Sequence, residues 1–250
     1  MGHYSPDIAE FYARSQGRMI RRLMKVLLRD WWPDISGYNF MGVGYTLPFV
    51  GIYRQSTPIS ETLLMNTLHP PRPWPKLERN FVTVCDDRLL PIENQRMDRI
   101  FVMHSLETAD DPDRLLRELW RTLDGNGRII LVVPNRTGVW SRAEQTPFGH
   151  GHPYTYTQLK RQLTRAGFTI ERHQRALYLP HTRSRIGIYF APWFERLGRR
   201  ICPAFGGLLM VEASKQLFAP TQPERSKQEQ TIRGVKPAIS TSRNCSEEHG

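Results

Sequence analysis

Between Asn39 and Phe218 short apolar runs alternate with helix-like stretches, and this alternation restricts the fold more than any other feature of the chain. Strand-like runs fall at Asn39 to Val43, Thr62 to Met65, Phe81 to Cys85, Arg99 to His104 and Ile129 to Pro134, with two later ones at Thr169 to Leu179 and Leu208 to Phe218. Two of the intervening helices carry end signals. Asp111 reads as an N-cap with Pro112 in the first turn, and Leu115, Leu116, Leu119, Trp120 and Leu123 form one face. Asp124-Gly125-Asn126-Gly127 stops that helix and turns the chain into the next strand. Thr155 and Gln158 have capping-box spacing ahead of Leu159, Leu163 and Ala166, with Gly167 closing. Strands alternating with helices predict an α/β fold, a mostly parallel sheet covered by helices.

Two segments flank this region. Asp7 to Trp32 has Ile8, Phe11, Met19, Leu23, Val26 and Leu27 at helical steps, and Pro33 ends it. Arg14, Arg18, Arg21, Arg22, Lys25 and Arg29 decorate that helix, so residues 1–33 read as a basic amphipathic element. From Pro220 to Gly250 the chain is polar and without periodicity, and disorder is expected there. Residues 34–219 are the expected domain. Within it His69-Pro70-Pro71-Arg72-Pro73-Trp74-Pro75 forbids helix interior and predicts a stiff loop, while Arg185 to Arg200 reads as a second basic helix or an irregular insertion.

Length and composition bear on the partners. The 250 residues can bury a full core, and the net charge of +11 favours acidic partners such as nucleic acid, anionic lipid or a phosphorylated substrate. No apolar run approaches the roughly 20 residues that span a bilayer. Met1 to Glu10 lacks a secretory pattern, and Cys85, Cys202 and Cys245 are too few and too far apart for a disulfide framework. A reducing cytoplasm is the expectation.

Several motifs then carry a resemblance. Asp86-Asp87-Arg88-Leu89-Leu90-Pro91-Ile92, Leu106-Glu107-Thr108-Ala109-Asp110-Asp111-Pro112, Leu119-Trp120 through Gly127-Arg128 to Val133-Pro134-Asn135, and Tyr154-Thr155 through Leu159 to Ala166-Gly167-Phe168 follow one another in fixed order. In order and spacing they resemble class I S-adenosylmethionine-dependent methyltransferases of the type 11, quinone-biosynthesis-like family, over Asp34 to Phe218. The resemblance implies a Rossmann-like sheet, mostly parallel with a late antiparallel strand and with helices on both faces. It implies S-adenosylmethionine as cofactor and methyl transfer to an unidentified acceptor.

The same resemblance assigns sites. Asp86, with Asp87 beside it, takes the place of the acid that accepts from the adenine amino group. Gly42, Gly44 and Tyr45 stand in the glycine loop, and Asn66 stands where relatives hold the ribose with a carboxylate. That loop departs from the acid-x-Gly-x-Gly-x-Gly pattern. In one alignment Gly42 replaces the acid, and Thr46 and Pro48 replace the later glycines; in the other Phe40 replaces the acid. Thr46 and Pro48 are expected to open the next helix as cap and first-turn proline. Losing one hydrogen bond to a charged group, worth about 1.5–3 kcal/mol, weakens binding roughly 10- to 100-fold. His104 and Glu107 are the candidate base or orienting pair. Asn135, Arg136, His150, His152 and Tyr154 are candidates for the acceptor side. Two histidines two apart, without a neighbouring carboxylate or cysteine, do not suggest a metal centre. Two other functions stay open. One is a catalytically silent member of the fold whose basic surfaces bind RNA, protein or a membrane. The other is a nicotinamide-dependent dehydrogenase, which would need glycine where Leu47 stands.

Overall fold

Successive residues of a strand point to opposite faces, and in the central strands of this chain both sets are apolar, so both faces must be covered. The computed structural model describes residues 8–66, 73–75, 80–179 and 191–215. It contains one seven-stranded sheet: β1 (Asn39–Gly44), β2 (Ser60–Met65), β3 (Val82–Val84), β4 (Met97–Met103), β5 (Leu123–Pro134), β6 (Phe168–Ala176) and β7 (Leu208–Lys215), in the order β3-β2-β1-β4-β5-β7-β6. The first five pair in parallel, and β7 runs antiparallel to both β5 and β6.

Phe40, Leu63, Met65, Phe101, Met103, Ile130 and Val132 face one core, shared with α1 (Ile8–Ala13), α2 (Ser15–Trp31) and α3 (Leu47–Val50). Met41, Val43, Leu64, Ile100, Val102, Ile129 and Leu131 face the other, against α4 (Pro112–Thr122) and α5 (Tyr156–Arg165). Each such side chain stabilises the fold by roughly 1.5–3 kcal/mol relative to exposure. The expected helix signals operate. The Asp111 carboxylate accepts from the Arg114 amide at 2.9 Å, and Thr155 and Gln158 form a reciprocal capping box.

Three expectations change. The helix expected from Asp7 to Trp32 breaks at Arg14, whose backbone is extended (φ −77°, ψ 168°). Gly17 makes the break possible: a Cβ there would lie 2.1 Å from the Phe11 carbonyl oxygen, so only glycine lets α1 fold back onto α2. Thr46 does not cap with its side chain, because its backbone is already helical (φ −94°, ψ −13°); Pro48 does occupy the first turn of the four-residue α3. β5 begins early, at Leu123. Met97 pairs with Leu123 and Arg99 with Arg128, so the Asp-Gly-Asn-Gly segment bulges out of a strand rather than preceding it. Of Arg185 to Arg200, the described part is α6 (Ala191–Ile201). Residues 69–72 of the proline-rich stretch and the whole tail from 220 lie outside the described residues.

The carboxyl end of α2 is fixed by charge. Glu212 on β7 is 1% exposed and accepts from Trp32 Nε1 at 2.7 Å and Arg172 Nε at 2.6 Å. Arg172 also donates to the Trp31 carbonyl at 2.8 Å. No helix among the described residues is long and apolar enough to cross a membrane.

Candidate functional site

Strand order reverses between β1 and β4, and the helices that follow them, α3 and α4, pack on opposite faces, which is where open α/β sheets form ligand crevices. The loop after β1 stays close to β4. Gly44 has φ +81°, and a Cβ on it would lie 2.3 Å from the Met103 carbonyl oxygen. Tyr45 donates its amide to that oxygen at 2.8 Å. Gly42 lies inside β1 against Thr46 and Leu63.

The loop after β4 begins with His104, buried and at φ +56°, a conformation uncommon for a non-glycine residue. Its Nδ1 is 3.3 Å from Glu107 Oε1, and its Nε2 shares a 2.6 Å hydrogen bond with the Tyr12 hydroxyl. Glu107 is 1% exposed, and its Oε2 has no hydrogen-bond partner among the described residues. Burial, with the Glu107 charge adding to it, holds the Tyr12 phenol well above its ordinary range and pushes Tyr154 up to about 12. Tyr12 stacks on Tyr45 (6.0 Å, 13°) and meets Phe49 edge-on at 5.3 Å. The sequence reading missed Tyr12. It is one aromatic on the apolar face of an apparently continuous helix, and nothing local signals that the break at Arg14 carries it to the strand ends.

Beside this cluster, at the ends of β2 and β3, a cleft of about 180 Å³ is lined by Asn66, Cys85, Asp86, Asp87, Arg88 and the loop Thr108 to Asp111. Asn66 Nδ2 donates to Asp87 Oδ2 at 3.3 Å, while Asn66 Oδ1 and Thr46 Oγ1 are buried without a donor or partner among the described residues. Burial raises the Asp87 carboxyl, with the Asn66 hydrogen bond opposing. Asp86 is exposed. Arg88 forks onto both its oxygens and, by those bonds, lowers its carboxyl to about 2. Burial and the two neighbouring aspartates push the Cys85 thiol up to about 11.

The other candidates are placed as follows. Tyr154 is buried with its hydroxyl 3.5 Å from the Leu106 carbonyl, near Glu107. Asn135 is buried and spends its amide on the Ala204 and Gly206 carbonyls at 3.1 and 2.6 Å. Arg136 is exposed and donates to the Pro153 carbonyl at 3.2 Å. A ring nitrogen of His150 lies 2.8 Å from the Glu144 carbonyl, and His152 is exposed. So His104, Glu107 and Tyr154 come together, and Asn66, Asp86 and Asp87 share the cleft; His152 meets the first group through its backbone amide, which donates to the Glu107 carbonyl at 2.7 Å.

A parallel sheet closed by an antiparallel β7, with its crevice between β1 and β4, defines a Rossmann-like methyltransferase fold. The chain belongs to the methyltransferase-domain family, whose model matches residues 24–173. Among solved structures, a Thermotoga maritima protein described as a possible histamine N-methyltransferase is similar in fold (TM-score 0.58, 14% identity, 85% of this chain and 96% of that one). An S-adenosylmethionine-dependent methyltransferase from Archaeoglobus fulgidus is another (0.56, 20%, 78% and 94%). A third is the [4+2]-cyclase SpnF (0.53, 18%, 79% and 82%). A comparison with curated proteins found no match. At these identities the structures establish the fold, and the family match establishes a methyltransferase domain.

Proposed function

We propose that this protein binds S-adenosylmethionine across the β1–β4 crevice and methylates an acceptor that reaches His104. The observation that carries this reading is the buried His104–Glu107 couple at the switch point, held in a strained backbone and ending in an unpartnered carboxylate oxygen. Burying a carboxylate with an open valence is costly, and such a cost is kept where a charge or proton is handled.

The cofactor residues fit in part. The cleft is smaller than the roughly 300–1,000 Å³ of most ligand sites, so it suits the adenine and ribose end. There a ribose hydroxyl would give Asn66 Oδ1 the donor it lacks, and Asp87 or Asp86 would accept from the adenine amino group. The remainder would lie along Gly44, Tyr45 and Thr46, after small shifts of that loop. When bound, the cofactor supplies an activated methyl group, and positioning then provides much of the rate. His104 Nε2 takes the acceptor's proton once the Tyr12 hydroxyl gives up its place, and Glu107 stabilises the charged ring.

The test is ligand-induced stabilisation by S-adenosylhomocysteine. A hundredfold excess over Kd is worth about 2.7 kcal/mol, a rise of roughly 5–11 °C in Tm. With no ribose carboxylate the shift is expected only near millimolar ligand, and Asn66→Leu should abolish it. No shift for the parent at several millimolar overturns the cofactor site.

A second reading, a binding module without catalysis, is favoured by one observation: Arg14, Arg18, Arg22 and Arg29 all lie on the solvent side of the N-terminal helices.

A further inference from the structure

We propose that the carboxyl end of the sheet carries a docking face for an anionic membrane surface. Every residue from Ile201 to Phe205, Ile-Cys-Pro-Ala-Phe, is exposed, Ile201 at 64% and Phe205 at 58%. Trp193 on α6 is exposed at 56% and Val139 at 48%. The run adjoins the loop after β5, which carries Val139: Asn135 and Thr137 both donate to the Ala204 carbonyl, at 3.1 and 2.7 Å. It also continues directly from α6, the helix that carries Trp193. Isolated exposed apolar residues are ordinary, but a run of five carrying a phenylalanine, with a tryptophan on the adjoining helix, marks an interaction site.

The rim identifies the occupant. Arg136, Arg142 and Arg200 are exposed, and none forms an ion pair with a described residue. A second copy of the chain would bring the same arginines face to face. Nucleic acid would engage the arginines and leave Ile201, Pro203 and Ala204 unused. An anionic bilayer satisfies both parts: phosphates take the guanidinium groups, while Trp193 and Phe205 enter the headgroup boundary. The net charge of +11 adds long-range attraction.

The test is co-sedimentation of the full chain with phosphatidylcholine vesicles, with and without one-third phosphatidylglycerol. Pelleting is expected with the anionic vesicles, weakening with salt and by about fivefold for each of Arg136→Gln and Arg200→Gln. Ile201→Asp with Phe205→Asp should abolish it and leave Tm unchanged. Val26→Asp, an equally exposed apolar residue on α2, should leave it intact. No pelleting of the parent overturns the proposal, as does a double aspartate variant that still pellets. So does a double variant that melts several degrees lower, since the run would then be covered by the protein itself.

Discussion

Single positions at the crevice are set by backbone geometry more than by side-chain chemistry. Gly44 combines φ +81° with a neighbour 2.3 Å from the missing Cβ, whereas Gly37, at φ +75°, has nothing within 4 Å. Gly37→Ala should therefore cost only the left-handed penalty of about 1–2 kcal/mol. Gly44→Ala should cost about 2–5 kcal/mol, since β4 must also move; urea unfolding of both variants measures the difference, and equal losses would mean that β1 and β4 are less closely apposed. Asp87 gives a pH prediction. Burial raises its carboxyl in the folded state, so the folded chain keeps that proton to higher pH than the unfolded chain does. Stability is then lost as pH rises from the ordinary carboxylate range through the raised value. Asp87→Asn should match the parent in acid and become the more stable of the two as pH rises, read from Tm across pH 3 to 8. The same neighbour complicates Asn66→Asp, which would gain a ribose carboxylate but set it against Asp87.

At the scale of elements, α1 and α2 belong to the same core as β1, β2 and β4, and their position is fixed at both ends. Tyr12 anchors α1 on His104, and Trp31 and Trp32 anchor α2 on Arg172 and Glu212. Tyr12→Phe leaves His104 Nε2 without its partner and should cost about 1–3 kcal/mol, seen in urea. Glu212→Ala leaves the Trp32 indole N–H and a half-exposed Arg172 without their acceptor, and a loss of about 1–3 kcal/mol is expected. A loss under 1 kcal/mol would show that packing alone holds α2. The succession of strands was legible in the sequence because the central ones are short runs apolar on both faces, set apart by polar and turn-forming residues. The break between α1 and α2 was not, because Gly17 reads as an ordinary helix residue until Phe11 is known to press on it.

For the whole molecule, the open choice is between an enzyme and a binding surface, and folds outlive their chemistry. The +11 charge supplies a discriminating experiment. If the N-terminal helices bind RNA, affinity must fall steeply with salt through counterion release, and replacing Arg14, Arg18, Arg21 and Arg22 by Gln must lower both the affinity and the salt slope. Absence of RNA binding at low salt would leave those arginines as solvation of a core-packed helix.

Periodicity, caps and motif order are local, so the sequence by itself determined the α/β class, the run of strands, the start of α4, both ends of α5, and the cleft residues that follow β2 and β3. Only the tertiary structure decided which of those residues meet. It set Arg88 on Asp86 and turned Asp87 to Asn66. It gave Asn135 to the carbonyls of the β7 approach and brought Tyr12 across 92 residues to His104. Such contacts depend on how elements pack, and packing distances between remote segments leave no periodic trace in the chain.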